Sequence, residues 1–419
     1  MSGRDIAMHS SVDLPTAFVF SCRGASIGDL NLLRSLGREG VRVTLISEYD
    51  TAPALHSRYA SKFILLPGFT REPDLLRYFF AARARASTDR PVIIANCDSD
   101  LALLNQLRCD LEADYRVLIP SASLIDKLGD KRQFATFARE HRLPVPLTHS
   151  PATLSELASY SADRFPLVIK PAHPRAWPDE LSEHFAQKGK VLIAANADEL
   201  MRMGGELIAR ALPFVVQEYI AGGDDEHIDV QVFSDASAQP VAWFSGRKIR
   251  TWPPRAGSGC YVRSEYVADA VDIAIDVLRR IGYVGLADLD FKRDSSTGKL
   301  ALLEINPRIG QWHILASQSG VNLPYLAYCE AIGRPLPAFT RQREGLRYLH
   351  LANDLRSFRI YRRSGQWTLA SYVRSLFAGD TIYQTATRDD IGPLKHAFVS
   401  GLRDVWTRVR GAQLSNEVA

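Results

Sequence analysis

The chain has 419 residues, 46% of them apolar and 23% charged, with a formal net charge of +4. These are the proportions of a folded globular protein and exclude a disordered or fibrous chain. Five scattered cysteines, none spaced C-x-x-C, exclude a disulfide framework or zinc site and fit a reducing, cytoplasmic setting.

At about 150 residues per domain, the length predicts two to four domains. The apolar stretch Ala17 to Phe20 is too brief for a signal-peptide core. No apolar run of about 18 residues suggests a membrane span. The charge is unevenly placed. Residues 331–419 carry 14 Lys/Arg against 7 Asp/Glu, whereas the remainder is slightly acidic. So small a net excess is weak support for nucleic acid as a partner.

The chain opens on a βα unit. Thr16–Ser21 reads as an apolar strand, Arg23–Gly28 as a small-residue loop, and Asp29–Gly40 as a helix with Leu30, Leu33 and Leu36 on one face. Gly24 and Gly28 do not match a dinucleotide fingerprint, and a tight strand-to-helix turn explains them better. Strands at Val41–Ser47, Phe63–Leu66 and Val92–Ala95, with a helix over Pro73–Ala86, complete an alternating pattern that predicts an open parallel sheet.

A helix is expected over Lys131–His141, then an extended Pro-bearing link, Leu143–Pro146. Phe165–Lys170 reads as a strand and Ala197–Ala211 as a helix burying Leu200, Met203, Leu207 and Ile208. Strands follow at Phe214–Ile220, Ile228–Phe233 and Val241–Gly246, with an amphipathic helix over Val267–Ile281. From Gly333 onward the chain reads as helix-rich, basic and aromatic.

The most informative stretch is Gly285 to Arg308. It reads as a β-hairpin turning at Ser296-Thr297-Gly298, where Gly298 supplies the positive φ that such loops favour. That register sets Asp290 opposite Glu304 and Asp288 opposite Asn306, all on one face. Leu289, Phe291, Leu303 and Ile305 are then expected on the core face. Carboxylates packed this closely raise each other's pKa unless a cation lies between them. Asp, Glu and Asn oxygens suit Mg²⁺. A solvated acidic face countered by Lys292 is the plainer alternative. Asn306-Pro307-Arg308 favours the metal reading, because it sets an amide and a guanidinium at the strand end, where a phosphate would need them.

At this point a family resemblance enters. Glu304-Ile-Asn-Pro-Arg308, with Leu289-Asp-Phe291 before it, resembles the metal-binding segment of the ATP-grasp superfamily. Asp130-Lys-Arg-Gln-Phe134 resembles the opening of its nucleotide-binding region. Leu167-Val-Ile-Lys-Pro171 resembles its phosphate-lysine strand, and Val216-Gln-Glu-Tyr-Ile220 the hinge against which adenine lies. The resemblance covers about residues 17–330 and is nearest the subgroup of predicted ATP-dependent, D-aspartate-ligase-like carboligases.

The resemblance implies an α/β (α+β) ATP-grasp fold. It divides into an N-terminal parallel-sheet domain (1–120), a small lid subdomain (121–212), a larger antiparallel-sheet subdomain (213–332) and a basic helical extension (333–419). It implies ligation of a carboxylate to an amine through an acyl phosphate, with ATP converted to ADP and phosphate. An amino acid or small peptide is the expected substrate class.

The cofactors implied are ATP and Mg²⁺, with two ions expected and Mn²⁺ an admissible substitute. Lys131 and Lys170 are candidates for the phosphates, Gln217, Glu218, Tyr219 and Ile220 for adenine, and Glu226 and His227 for ribose. Asp290, Glu304 and Asn306 are the metal candidates, with Asp288 outside them. Lys248, Arg250 and Arg308 are the catalytic cations, Lys248 and Arg250 coming from the cation-rich loop Arg247–Arg255. No nucleic acid or membrane partner is expected, and a homodimer is compatible with the resemblance.

One departure is the segment Ala172–Pro178, which lacks the glycines of many family lids. Two alternatives stay open: an ATP-grasp kinase acting on a small molecule, and a non-catalytic ATP-binding protein.

Overall fold

The computed structural model describes residues 14–399, except 22–26, 51–52, 86–89, 161–164, 174–175, 179–180, 182–190 and 256. Residues 23–26 of the expected Arg23–Gly28 loop therefore lie outside the described residues, as do residues 174–175 of the segment Ala172–Pro178.

Three sheets organise the chain. The first comprises β1 (Ala17–Ser21), β2 (Val43–Ser47), β3 (Ala60–Leu65), β4 (Val92–Ile94) and β5 (Arg116–Val117). Their order is β3-β2-β1-β4-β5, and all pairs are parallel. Central strands such as β2 are buried along their whole length, as expected for a sheet covered on both faces.

The second sheet comprises β6 (Thr148–His149), β7 (Leu167–Pro171), β8 (Leu192–Ala194) and β9 (Phe214–Glu218), antiparallel in the order β6-β9-β7-β8. The helix Ala197–Ala209 covers it with Leu200, Met203 and Leu207. Expected Ile208 lies only partly buried at that edge.

The third sheet has seven strands in the order β14-β13-β10-β11-β12-β15-β16. These are β10 (His227–Ser234), β11 (Pro240–Trp252), β12 (Ser258–Ser264), β13 (Gly285–Arg293), β14 (Leu300–Asn306), β15 (Arg347–Leu349) and β16 (Thr381–Tyr383). One face packs Ile228, Val230, Leu289 and Phe291 against the helix Ala268–Arg280, which presents Ala270, Val271, Ala274 and Val277. The other face is split. One end is apolar, with Phe233, Phe244 and Trp312 in its core. The other end carries the polar residues described below.

Two expectations change here. The helix Ile27–Gly37 is buried nearly all round, including Asp29, Asn31 and Arg34. Its second side is covered by distant chain: Asn31 Nδ2 donates to the Gln311 carbonyl at 2.7 Å, and Arg34 Nε donates to Asp390 Oδ2 at 2.9 Å. The C-terminal part is also not purely helical. Alongside the helices Leu351–Arg363 and Leu369–Leu376, it supplies β15 and β16, which extend the large sheet. Three-residue strands are too short to show a period of two.

Candidate active site

The hairpin register holds where the chemistry is expected. Asp290 lies opposite Glu304, and Asp288 opposite Asn306. Gly298 adopts φ +71° in the turn. Beyond Asp290 the register slips: Phe291 pairs with Leu302, leaving Leu303 as a bulge. Leu302 thus takes the buried place expected of Leu303.

Strand β10 extends the polar face by one strand. Asp229 lies opposite Asp290, and Gln231 opposite Asp288. Two cross-strand rows result: Glu304–Asp290–Asp229 and Asn306–Asp288–Gln231. Asp229 and Gln231 were not among the sequence candidates. Their signal was present in Ile228-Asp-Val-Gln-Val232, where polar residues alternate inside an apolar strand. Gln231 is fully buried, and neither end of its amide has a hydrogen-bond partner.

Lys248 on β11 neutralises the middle of the carboxylate row. It is 4% exposed, its Nζ lies 2.8 Å from Asp229 Oδ1, and it also bonds Asp290. Burial alone would lower the lysine's pKa, but the two carboxylates raise it above its ordinary value. Burial and the neighbouring Asp290 push Asp229 well up. Asp290 moves the other way: Lys248 outweighs burial and holds it ionised. Asp288 is pushed up to about 7 by burial and then by Asp290.

Lys131 and Lys170 come from outside this sheet and converge on its edge. Asp130 caps the helix Lys131–Glu140, accepting from the backbone N–H groups of Arg132 and Gln133. Lys131, at its first position, lies 3.9 Å from Glu304. Lys170 Nζ donates to Gln217 Oε1 at 2.7 Å, and Gln217 Nε2 donates to Thr148 Oγ1 at 2.8 Å. Burial lowers the Lys170 pKa to about 8, with Glu304 opposing the shift.

Gln217 therefore holds Lys170 through its side chain, a contact distinct from the backbone groups expected to face adenine. Glu218 ends β9, and its carboxylate accepts from the Leu147 N–H. Tyr219 and Ile220 follow in the connecting loop, and Lys292 lies over the Tyr219 ring at 5.1 Å. Glu226 closes a short turn and lies 3.8 Å from Arg247. His227 starts β10 opposite Lys292. Burial, then Lys248, lowers its pKa to about 3, so it is neutral.

Arg308 sits at the far end of the hairpin. It donates to Asp98 Oδ1 at 2.8 Å and to the Ile309 carbonyl at 3.0 Å. Asp98 belongs to the helix Asp98–Gln106 beside the parallel sheet, and no local pattern announces that partnership.

Arg250 is a correction. It was expected beside Lys248, two residues away on one strand face. Lys248 pairs with Val262, however, and Arg250 with Tyr261, so Ile249 is a bulge and Arg250 turns to the opposite face. There it is 0% exposed and donates to both Asp354 oxygens at 2.7 and 3.0 Å. Tyr261, Trp367 and Tyr372 surround its guanidinium at 4.3, 4.5 and 4.8 Å. It anchors the C-terminal helices and does not face the carboxylates.

The donor set of Asp290, Glu304 and Asn306 fits a hard divalent cation in type. An oxygen of Asp288 next to it is buried without a hydrogen-bond partner. Among the described residues, no three His, Cys, Asp or Glu side chains converge in metal-binding geometry. In this arrangement Lys248 supplies the positive charge that the carboxylates require.

The three-sheet architecture is the ATP-grasp fold. A family model described as "ATP-grasp in the biosynthetic pathway with Ter operon" matches residues 236–353. The chain is similar to D-aspartate ligase of Enterococcus faecium (strain Aus0004), with 24% identity over 65% of this chain and 66% of the ligase. It is also similar to the carbamoyl phosphate synthase large chain of Clavibacter sepedonicus, with 27% identity over 72% of this chain and 27% of that protein. It thus spans just under two thirds of the first relative and about a quarter of the second.

Among solved structures, it resembles the biotin carboxylase domain dimer of Hydrogenobacter thermophilus 2-oxoglutarate carboxylase, in complex with MgADP, ADP and bicarbonate. The TM-score is 0.59 at 16% identity, over 80% of this chain and 73% of that one. No helix among the described residues is long and apolar enough to cross a membrane.

Proposed function

We propose that this chain is an ATP-dependent carboxylate–amine ligase that works through an acyl phosphate. One observation carries the reading: Lys131 and Lys170, from separate elements, converge on Glu304, the outer end of the carboxylate row, on the strand that leads to Asn306 and Arg308. A triphosphate needs cations on one side and a metal-holding carboxylate set on the other. The similarity to D-aspartate ligase supports the amide-forming chemistry.

In this reading Lys131 and Lys170 hold the phosphates as point charges. Residues Gln217 to Ile220 line the adenine, and Glu226 and His227 lie at the ribose. Asp290, Glu304 and Asn306 would hold Mg²⁺, two ions being the expectation, which neutralises charge on the β- and γ-phosphates when bound. Lys248 keeps Asp290 ionised and links it to Asp229. Arg308 is the catalytic cation at the strand end, where the transferring phosphate needs one.

A carboxylate oxygen forms a bond to the γ-phosphorus, and ADP leaves. The amine nitrogen then bonds to the acyl carbon and loses a proton to solvent, and phosphate departs. No protein nucleophile is required; positioning and charge neutralisation supply the rate. An amino acid or small peptide is the proposed substrate class. The free cysteines Cys97, Cys109, Cys260 and Cys329 support a cytoplasmic setting. A homodimer is the proposed assembly, on the likeness to a dimeric biotin carboxylase domain.

The test is phosphate release from MgATP across a panel of acid–amine pairs, with mass detection of products. The expected product has the mass of acid plus amine less water. A stable phosphorylated product without amine would show a kinase instead. Tight ATP binding with no phosphate release for any pair would show a binding protein.

A further inference from the structure

The C-terminal helix Leu351–Arg363 lies almost wholly beyond the part of the chain that the family model matches, which ends at residue 353. Its buried face nevertheless reaches toward the nucleotide rim. Asp354, Ser357 and Tyr361 are spaced three and four residues apart, so they share one face. Each grips the end of β11 or the turn before β10.

Asp354 holds Arg250 through both carboxylate oxygens. Ser357 Oγ donates to the Thr251 carbonyl at 2.5 Å, while the Thr251 N–H donates to the Tyr361 hydroxyl at 3.1 Å. Both backbone groups of Thr251 are thus held by one helix, at a place where β11 departs twice from regular register. A bulged strand end has lost ladder hydrogen bonds, and these side chains replace them.

Tyr361 does a second thing. Its hydroxyl donates to Asp224 Oδ2 at 2.5 Å. The same carboxylate accepts from the Arg255 N–H at 2.9 and 3.0 Å, and Arg255 holds φ +78°, a left-handed conformation uncommon for a side-chain-bearing residue. Asp224 opens the short turn Asp224–Glu226 that leads into His227. It acts electrostatically on His227 and Lys292, which places it at the rim where the ribose contact is proposed. One buried hydroxyl therefore ties three segments together: the C-terminal helix, the tip of the β11–β12 hairpin and the Asp224–Glu226 turn.

We infer that Tyr361 is a positioning residue for the nucleotide rim, acting through Asp224 to fix the Asp224–Glu226 turn, with Ser357 splinting the β11 end that carries Lys248. This rests on the nucleotide reading above. It gives the C-terminal segment a role in assembling a site that its own residues do not enter.

The experiment is calorimetric titration of MgATP into the full-length protein, the Tyr361→Phe and Asp224→Asn variants, and the double variant. Amide exchange at Thr251 and thermal melting are followed alongside. Phenylalanine keeps the ring that fills the core, so Tyr361→Phe is expected to fold. Tyr361 reaches the nucleotide only through the turn, so part of the strength of a hydrogen bond to a charged group is felt there, and ATP binding should weaken by roughly 3- to 10-fold in each single variant. The double variant should lose less than the sum of the singles, because the Tyr361–Asp224 hydrogen bond is common to both. Thr251 exchange should quicken in Tyr361→Phe.

If Tyr361→Phe lowers the melting temperature but binds ATP as tightly as wild type, the residue is merely structural and the inference falls. Additive losses in the double variant would also overturn it. A wild-type protein that binds no ATP would remove the nucleotide reading itself, an outcome distinct from wild-type binding that the variants leave unchanged.

Discussion

Arg250→Met separates an anchoring role from a catalytic one. The guanidinium is fully buried and meets Asp354 at 2.7 and 3.0 Å. Removing it strands a carboxylate that is itself 0% exposed, which costs about 3–5 kcal/mol in comparable buried pairs. Three rings within 5 Å of the guanidinium also lose their cation, worth roughly another 1 kcal/mol. At about 2–4 °C per kcal/mol for a domain of this size, the melting temperature should fall by about 10 °C or more. Replacing both partners, as Arg250→Met with Asp354→Leu, removes the stranded charge and should restore most of that loss. The assay is thermal and denaturant unfolding of the two single variants and the pair, with MgATP affinity measured on the pair. ATP affinity in the pair should stay within about 3-fold of wild type. Unchanged stability in the single variants, with ATP affinity lost in the pair, would refute the reasoning and return Arg250 to the catalytic centre.

Three further outcomes are expected. Lys170 titrates near 8 when folded and near 10.5 when free, so the unfolded chain binds more protons between these values and stability should rise across that window. Lys170→Met should flatten the rise. ATP binding above pH 8 should take up a proton, readable by calorimetry in buffers of different ionisation enthalpy. His227 and His313 are held neutral by burial, near 3 and 4 against an ordinary 6.5. Stability should therefore fall as pH drops from about 6.5 toward 4, less steeply in His313→Gln, as followed by urea midpoints. Glu304→Gln should cut Mg²⁺-dependent phosphate release on the order of 100-fold or more, and retained turnover would sink the metal assignment.

Much of the fold was legible because its signals are local. The strand alternation, the Gly298 turn and the helix beginning at Lys131 each announce themselves within a few residues. The hairpin register was correct over Asp288–Asp290 and Asn306–Glu304, and failed only past the Leu303 bulge. Two bulges, at Leu303 and Ile249, account for the departures. They interrupt the period of two on which facing was argued, and Ile249 in the same way sent Arg250 to the wrong face. Asp229 and Gln231 were visible in the alternation of β10, but they gain meaning only once that strand is known to lie beside β13. The Arg308–Asp98 pair, the Arg34–Asp390 pair and the Tyr361–Asp224 link join residues more than 130 positions apart. No periodicity or motif encodes such partnerships. The basic tail was legible as charge but not as structure, since its two strands are three residues each and its buried acids are spent on partners elsewhere.

The most direct test is a crystal structure of the protein soaked with a non-hydrolysable ATP analogue and Mg²⁺. The triphosphate should lie between Lys131 and Lys170 on one side and Glu304 and Asn306 on the other, with metal density on Asp290 and Glu304 and adenine against residues 217–220. Nucleotide bound elsewhere, or metal held by carboxylates other than Asp290 and Glu304, would contradict the account.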